Sequence, residues 1–214
     1  MDVDLKVVQL LCSRLCHDLV GSAGAVNAGL EILQESGHAP EMLAEAVDLA
    51  ANSGLQTTAR LTFYRTAFGF AGDEATRLGE LSNLAAGLIA DGAISLDWPV
   101  EGAADSTPLS KGAGQLLLNL FLISVDCLPR GGTLGVRVVG LDEGLGLALT
   151  ATGEGARLRP ELGTAIMPDA AIDDLTVRTV QGYFTRCLAT DMKAEVEVDA
   201  DSSNQVRIAT VIPG

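Results

Sequence analysis

The chain is poor in basic residues: 14 Lys and Arg stand against 28 Asp and Glu in 214 residues, a net charge of −14. Nucleic acids and anionic membrane surfaces are gripped through a basic footprint. None is visible here, so neither is an expected partner. Aromatic residues are scarce, at 4%, although 48% of the chain is hydrophobic. The apolar content is Ala, Leu and Val, interspersed with Gly, as in a compact soluble protein. There is no apolar run of about 18 residues, the length a membrane helix needs. The opening MDVDLK lacks the basic region of a secretory signal, and the expected location is the cytoplasm. Only two histidines occur, His17 and His38, and four cysteines, Cys12, Cys16, Cys127 and Cys187. A tetrahedral metal site needs more ligands close together. No metal is expected, and the thiols read as small residues of a reducing compartment.

What the chain does contain falls into two parts, residues 1–71 and 72–214. In the first, a helix from Asp4 to Glu35 carries no Pro and is about 50 Å long at ~1.5 Å per residue. Gly21, Gly24 and Gly29 weaken it locally. Its face of Val8, Leu11, Leu15, Leu19, Ser22, Val26, Leu30 and Leu33 recurs every three or four positions. Ser36 to Pro40 reads as a turn, with Pro40 and Glu41 suited to open a second helix. That helix ends near Phe68 and carries a stripe through Leu43, Val47, Ala50, Gly54, Leu61 and Phe68. Two long helices and a short turn make an antiparallel hairpin. A hairpin alone cannot cover both stripes, so the expected state is a homodimer whose two hairpins form a four-helix bundle. The competing expectation is that the second part of the chain covers the stripes within a monomer.

His17 lies off the apolar face and is followed at once by Asp18. Its helical neighbours Ser13, Arg14, Val20, Gly21 and Gly24 are mostly small or polar, so the imidazole should stand on a bare ridge that a large partner can reach. A carboxylate beside an imidazole holds its tautomer and raises its basicity. A lone helical His is most often only a surface residue. The adjacent Asp18 and the bare surroundings are what single this one out.

From Asp73 the pattern changes. Helices are expected at Glu74–Ala90, Gly114–Cys127 and Asp173–Ala189. Strands are expected at Ile94–Trp98, Leu134–Val139, Leu145–Thr150, Ala194–Val198 and Gln205–Val211, the last two joined by the turn DADSSN. Helices mixed with mainly antiparallel strands imply a two-layer α+β sandwich.

Five stretches, RLCHDL (Arg14 to Leu19), YRTAFG (Tyr64 to Gly69), LDW (Leu96 to Trp98), LPRGG (Leu128 to Gly132) and ARLRPE (Ala156 to Glu161), together carry a resemblance. The first part resembles the dimerisation and phosphotransfer hairpin of sensor histidine kinases, and the second their ATP-binding domain. The whole chain resembles the histidine phosphotransferases of alphaproteobacterial phosphorelays, the ChpT type. Against the kinase Asn-box pattern QVLLNLLSNAIKFTPxGG, the segment QLLLNLFLISVDCLPRGG aligns without a gap. The Asn that holds magnesium and phosphates corresponds to Ile123, and the following Lys to Asp126. In ATGEGA, Ala151 stands where kinases have the Asp that binds adenine. The Gly-rich phosphate loop has no counterpart near Ile172–Val177, where Asp173 and Asp174 would repel phosphate. The remaining TGEG matches a phosphate loop weakly and fits a turn.

The resemblance implies a phosphorelay intermediate. His17 would take a phosphoryl group through Nε2 from the Asp of one receiver domain and pass it to the Asp of another. The partners implied are response-regulator receivers and the receiver of a hybrid histidine kinase. Asp18 would orient His17 through Nδ1–H, and Arg14 would offset phosphoryl charge. Ser13, Val20, Gly21 and Gly24 would form the docking ridge, although the two glycines equally suit close helix packing. No cofactor is implied for the chain itself, since magnesium would sit on the receiver. Gly21 and Ser22 replace the Thr or Asn and the Pro that follow the kinase His, so phosphatase activity is not implied. Two rival readings are an adaptor that only grips receivers, and an ATP-dependent kinase, which Ile123 and Ala151 disfavour.

Overall fold

The computed structural model describes residues 4–35, 40–69, 75–90, 92–99, 108–200 and 203–214. The expected turn around His38, and part of the DADSSN turn, lie outside them. Helix α1 (Leu5–Glu35) is unbroken, and α2 (Pro40–Phe68) returns beside it. Pro40 opens α2 with Glu41 in its positive first turn. The seam between them is narrow and made of small residues: Ser22 and Gly29 on α1, Ala46 and Ser53 on α2 are buried. At Gly29 a Cβ would lie 2.8 Å from the Ala46 carbonyl oxygen, so this is where the helices touch most closely. Larger members of the expected stripes remain outside. Val8, Leu30, Val47 and Leu61 are exposed, because two helices alone enclose only the residues directly between them.

The second part contains β1 (Thr76–Arg77), α3 (Leu78–Ile89), β2 (Ile94–Asp97), β3 (Pro108–Leu109), α4 (Lys111–Asp126), β4 (Gly132–Leu141) and β5 (Gly144–Thr152). It continues with α5 (Pro160–Ile166), α6 (Val180–Asp191), β6 (Glu197–Asp199) and β7 (Gln205–Pro213). The main sheet runs β2-β4-β5-β7-β6, parallel only at β2–β4. This is the α+β architecture read from the alternation. Inward residues stack in register, Val136 opposite Leu149 and Leu149 opposite Ile208, and all three are buried.

Several boundaries differ from expectation. The helix expected from Glu74 begins at Leu78, because Thr76 and Arg77 pair antiparallel with β3. The helix expected from Asp173 begins at Val180. Before it, Ile172–Asp174 forms a 3-10 turn, and the Thr179 hydroxyl accepts the Thr176 N–H at 2.9 Å. Such side-chain bonds offer the backbone an alternative to continuing a helix. The short α5 was not anticipated. The LPRGG stretch is a tight turn after α4. Gly131 and Gly132 have φ of 81° and 140°, and a side chain at either would strike the Ala93 or Thr152 carbonyl.

Helix α4 is apolar on nearly every side and is buried from Leu116 to Ser124, as expected of a helix enclosed by packing partners. Ser110 caps its start, accepting the Ala113 N–H at 3.3 Å. The core around α4 extends into the hairpin: Phe63 and Ala67 of α2 belong to it, with the Phe63 and Phe121 rings 6.1 Å apart. Asn119, fully buried, donates to the Ala67 carbonyl at 2.9 Å and accepts from Gln181 Nε2 at 2.6 Å. Gln115 Nε2 donates to the Gly69 carbonyl at 2.7 Å. A smaller cluster joins Val7 at the start of α1 to Ala165, Leu175 and Val180. The hairpin base is thus seated on the second part, while its far end is not covered by it.

Replacing Asn119 with Ala strands the Ala67 carbonyl and the Gln181 amide in an apolar interior. The expected loss is about 2–4 kcal/mol, measured by urea unfolding.

Candidate functional site

His17 projects from the middle of α1 with its side chain 85% exposed. Ser13, Val20, Gly21 and Gly24 around it are exposed as well. A Cβ placed on Gly21 or Gly24 would meet nothing within 4 Å. These two glycines therefore do not serve packing within the hairpin, and that role belongs to Gly29. They leave the ridge low beside the imidazole.

Beneath the ridge, Asp18 is held from several directions. Its Oδ1 lies 3.5 Å from His17 Nδ1. Its Oδ2 accepts the Tyr64 hydroxyl at 3.0 Å and lies 3.8 Å from Arg14 Nε. Its backbone carbonyl accepts from Arg60 Nη1 at 2.8 Å. Arg60 and Tyr64 stand one turn apart on α2, so one face of that helix clamps both the backbone and the side chain of Asp18. Burial, reinforced by the Asp18 charge, pushes the Tyr64 phenol well above its usual range. Tyr64 is therefore a lasting donor to Asp18 at any physiological pH.

Arg14 is placed differently from the expectation. Its side chain is only 13% exposed, and Nη2 donates to Asp126 Oδ2 at 3.1 Å. It is committed to carboxylates on either side and is not presented on the ridge to offset a phosphoryl group. Asp126, at the last turn of α4, also accepts from Arg159 Nη2 at 3.4 Å. Tyr64, Arg60, Asp126 and Arg159 were not singled out as site residues. Tyr64 and Arg159 fall within stretches quoted for the resemblance, and Asp126 occupies the aligned Lys position. Their convergence depends on how α2 and α4 meet α1, which no local pattern encodes.

Ile123 and Ala151 are buried in the core. The TGEG segment is a turn with both glycine amides engaged: Gly153 N–H donates to the Asn204 carbonyl at 3.0 Å, and Gly155 N–H to Asn204 Oδ1 at 2.8 Å. Glu154 pairs with Arg130. At the place of the missing phosphate loop, Lys6 Nζ donates to the Asp173 carbonyl at 2.7 Å, tying that segment to the start of α1. Among the described residues no cluster of His, Cys, Asp and Glu is placed to hold a metal ion. No helix among them is long and apolar enough to cross a membrane.

Residues 78–204 match the family of histidine phosphotransferase C-terminal domains. The chain is 36% identical over 207 residues to the protein phosphotransferase ChpT of Brucella abortus, covering 94% of each. The chain belongs to the histidine phosphotransferase family. It superimposes on a solved bacterial phosphotransferase with a TM-score of 0.81 at 32% identity, covering 98% of both chains. The histidine kinase domain of a blue-light-activated kinase from Erythrobacter litoralis is similar at a TM-score of 0.50 and 13% identity, covering 92% of this chain and 93% of that one. That likeness is one of fold.

The glycines separate site from scaffold. Gly21→Ala enters open space and should leave stability unchanged or raised by up to about 1 kcal/mol. Gly29→Ala, pressed against Ala46 and Ala50, should cost about 1–3 kcal/mol. Thermal unfolding of the two variants checks the contrast.

Proposed function

We propose that His17 is the phosphoacceptor of a phosphorelay, carrying a phosphoryl group between aspartates of receiver domains. The observation that carries this reading is the pairing of a fully presented imidazole with an anchored carboxylate at Nδ1. With the proton held on Nδ1 by Asp18, the Nε2 lone pair is directed outward. It attacks the phosphorus of a receiver's aspartyl phosphate. The N–P bond forms as the P–O bond to the carboxylate breaks, and the carboxylate leaves with the electron pair. The Nδ1 proton stays between ring and Asp18, whose charge offsets the positive charge that the ring gains as the N–P bond forms. Transfer onto a second receiver is the same step reversed. Positioning supplies most of the rate in such transfers, and the low ridge at Gly21 and Gly24 admits the receiver's loop with Ser13 and Val20 at its rim.

The partners on this reading are response-regulator receivers and the receiver of a hybrid histidine kinase, with magnesium held by the receiver. The residues aligned with the kinase nucleotide site do not fit ATP. The Ile123 side chain offers no oxygen to magnesium, that of Ala151 no acceptor to adenine, and both glycine amides of TGEG are already bonded. A chain that draws its phosphoryl group from a receiver needs no cofactor of its own, and its place is the cytoplasm, where receivers work.

We also propose a homodimer through the hairpin. Leu30, Val47, Leu49, Leu55 and Leu61 leave an apolar surface along its length, and the second part of the chain covers only the base. Charged substitutions at Leu30 and Leu61 should split a dimer observed by sedimentation at micromolar concentration. A monomeric wild type removes the proposal.

The test of the central reading has two arms. Incubation with a phosphorylated receiver should yield acid-labile phosphate on the chain, and incubation with ATP should not. His17→Ala should abolish acceptance with little change in stability, since the side chain fills no core space. Asp18→Asn should slow transfer without abolishing it. Acceptance by the His17→Ala variant would sink the assignment.

A further inference from the structure

Asp18 has two carboxylate oxygens and three claims on them. Oδ2 is occupied by Tyr64 at 3.0 Å, with Arg14 Nε 3.8 Å away, and Oδ1 faces His17 Nδ1 at 3.5 Å. Arg14 is the group able to disturb this division. It sits one turn before Asp18, an arrangement in which an Arg and an Asp readily form a close ion pair. A close pair would draw the carboxylate away from the imidazole and lower its basicity. Arg14 stands 3.8 Å from Asp18, beyond hydrogen-bond reach, while Asp126 holds its Nη2 at 3.1 Å. Asp126 is in turn held by Arg159 at 3.4 Å. The charged and titratable groups facing Asp18 are thus His17, Arg14 and Tyr64, with Arg60 on its carbonyl. Among the described residues, those facing Asp126 are Arg14, Arg159 and the neighbouring Cys127 thiol.

We propose that Asp126, on the C-terminal part of the chain, is a positioning residue for phosphotransfer: by holding Arg14 it keeps an Asp18 oxygen committed to His17 Nδ1. This rests on the reading of His17 as phosphoacceptor. The position is the one aligned with the kinase Lys, and a Lys there could not accept from Arg14. Its exchange for Asp turns the end of α4 into a support for the hairpin's imidazole. The effect runs through three elements, from α4 to Arg14 and Asp18 on α1, with Tyr64 of α2 fixing the remaining geometry. It follows that the degenerate domain acts on the chemistry even without a nucleotide.

The sign of the effect is fixed by the geometry. Asp126→Asn removes the charge that competes for Arg14 while preserving volume. Arg14 then turns to Asp18, the hydrogen bond to Nδ1 weakens, and the imidazole shifts toward the tautomer protonated on Nε2. Nitrogen NMR of His17 in the full-length protein, without any partner, should show that tautomer shift. Transfer from a saturating phosphorylated receiver should slow about threefold to tenfold. Asp126→Glu, which keeps the charge, should restore both readouts toward wild type. Arg14→Gln removes the competing cation and should move the tautomer the other way, toward protonation on Nδ1; an unmoved tautomer there overturns the proposal. That variant keeps the proposal testable where Asp126→Asn fails to fold. An unchanged His17 tautomer in a folded Asp126→Asn protein overturns the proposal, as does a slowed transfer with the tautomer unmoved. In either case the loss of acceptance in His17→Ala stands as a separate result, so the reading of His17 is judged independently.

Discussion

The structure depends on the seating of the helical hairpin on a buried helix. Helix α4 has no solvent face over most of its length, so its one fully buried amide side chain must find partners inside the protein. Asn119 finds them in the Ala67 carbonyl of α2 and in Gln181 of α6. The Ala67 carbonyl belongs to the last turn of α2, where a helix leaves carbonyls without partners of its own. One side chain thereby closes a helix end and joins three elements. Phe63 against Phe121, and Gln115 on the Gly69 carbonyl, complete the joint. An unpaired polar group in such a place costs more than the bond contributes, so the hairpin and the sheet have little freedom to separate at this point without exposing or stranding these groups.

That rigidity bears on how the C-terminal part relates to the kinase fold it resembles. A domain that must carry a bound nucleotide to a histidine on its own hairpin has to move relative to that hairpin. On the reading proposed here the domain carries none and can be fixed in place. Ile123 and Ala151 add to the core instead of reaching a ligand. The segment in place of the phosphate loop is bonded to the start of α1 through Lys6, and Val7 packs beside it. Asp126 gives up the cation of the aligned position and becomes an acceptor for two arginines. The Lys6 and Asp126 contacts join the two halves at positions that the aligned kinase pattern gives to nucleotide binding.

Much of this was legible in the sequence. Long periodic segments without Pro identified α1 and α2 almost to the residue, and the alternation in β4, β5 and β7 identified the sheet. The exposure of His17 was legible because it lies off the apolar face of α1. The misjudged boundaries have local causes. Thr76 and Arg77 join a two-residue ladder with β3, too short for any period. The approach to α6 is diverted by the Thr176–Thr179 turn. The support beneath His17 was less legible. Arg14 looked like a surface cation because a helical wheel shows which face a residue is on, and not that the end of α4, 112 positions later, lies against that face. Tyr64 and Arg60 have an i, i+4 spacing that is visible, but their common target on α1 depends on the register of the hairpin.

The charge around His17 follows a logic of its own. The arginines nearest the site donate inward: Arg14 to Asp126, Arg60 to the Asp18 carbonyl, Arg159 to Asp126. A cation clamped directly onto the phosphorylated imidazole would stabilise that state as well as the transition state. Uniform stabilisation of that kind deepens the intermediate without speeding its onward transfer. A carrier between two aspartates works best when its phosphorylated form lies close in free energy to both. On the reading proposed here, committing the nearby arginines to carboxylates and carbonyls leaves the phosphoryl group to be stabilised by whichever receiver is docked. The charge that lowers the barrier then arrives with the partner and departs with it. What the chain itself supplies is geometry: a presented nitrogen, a fixed tautomer and a ridge without bulk.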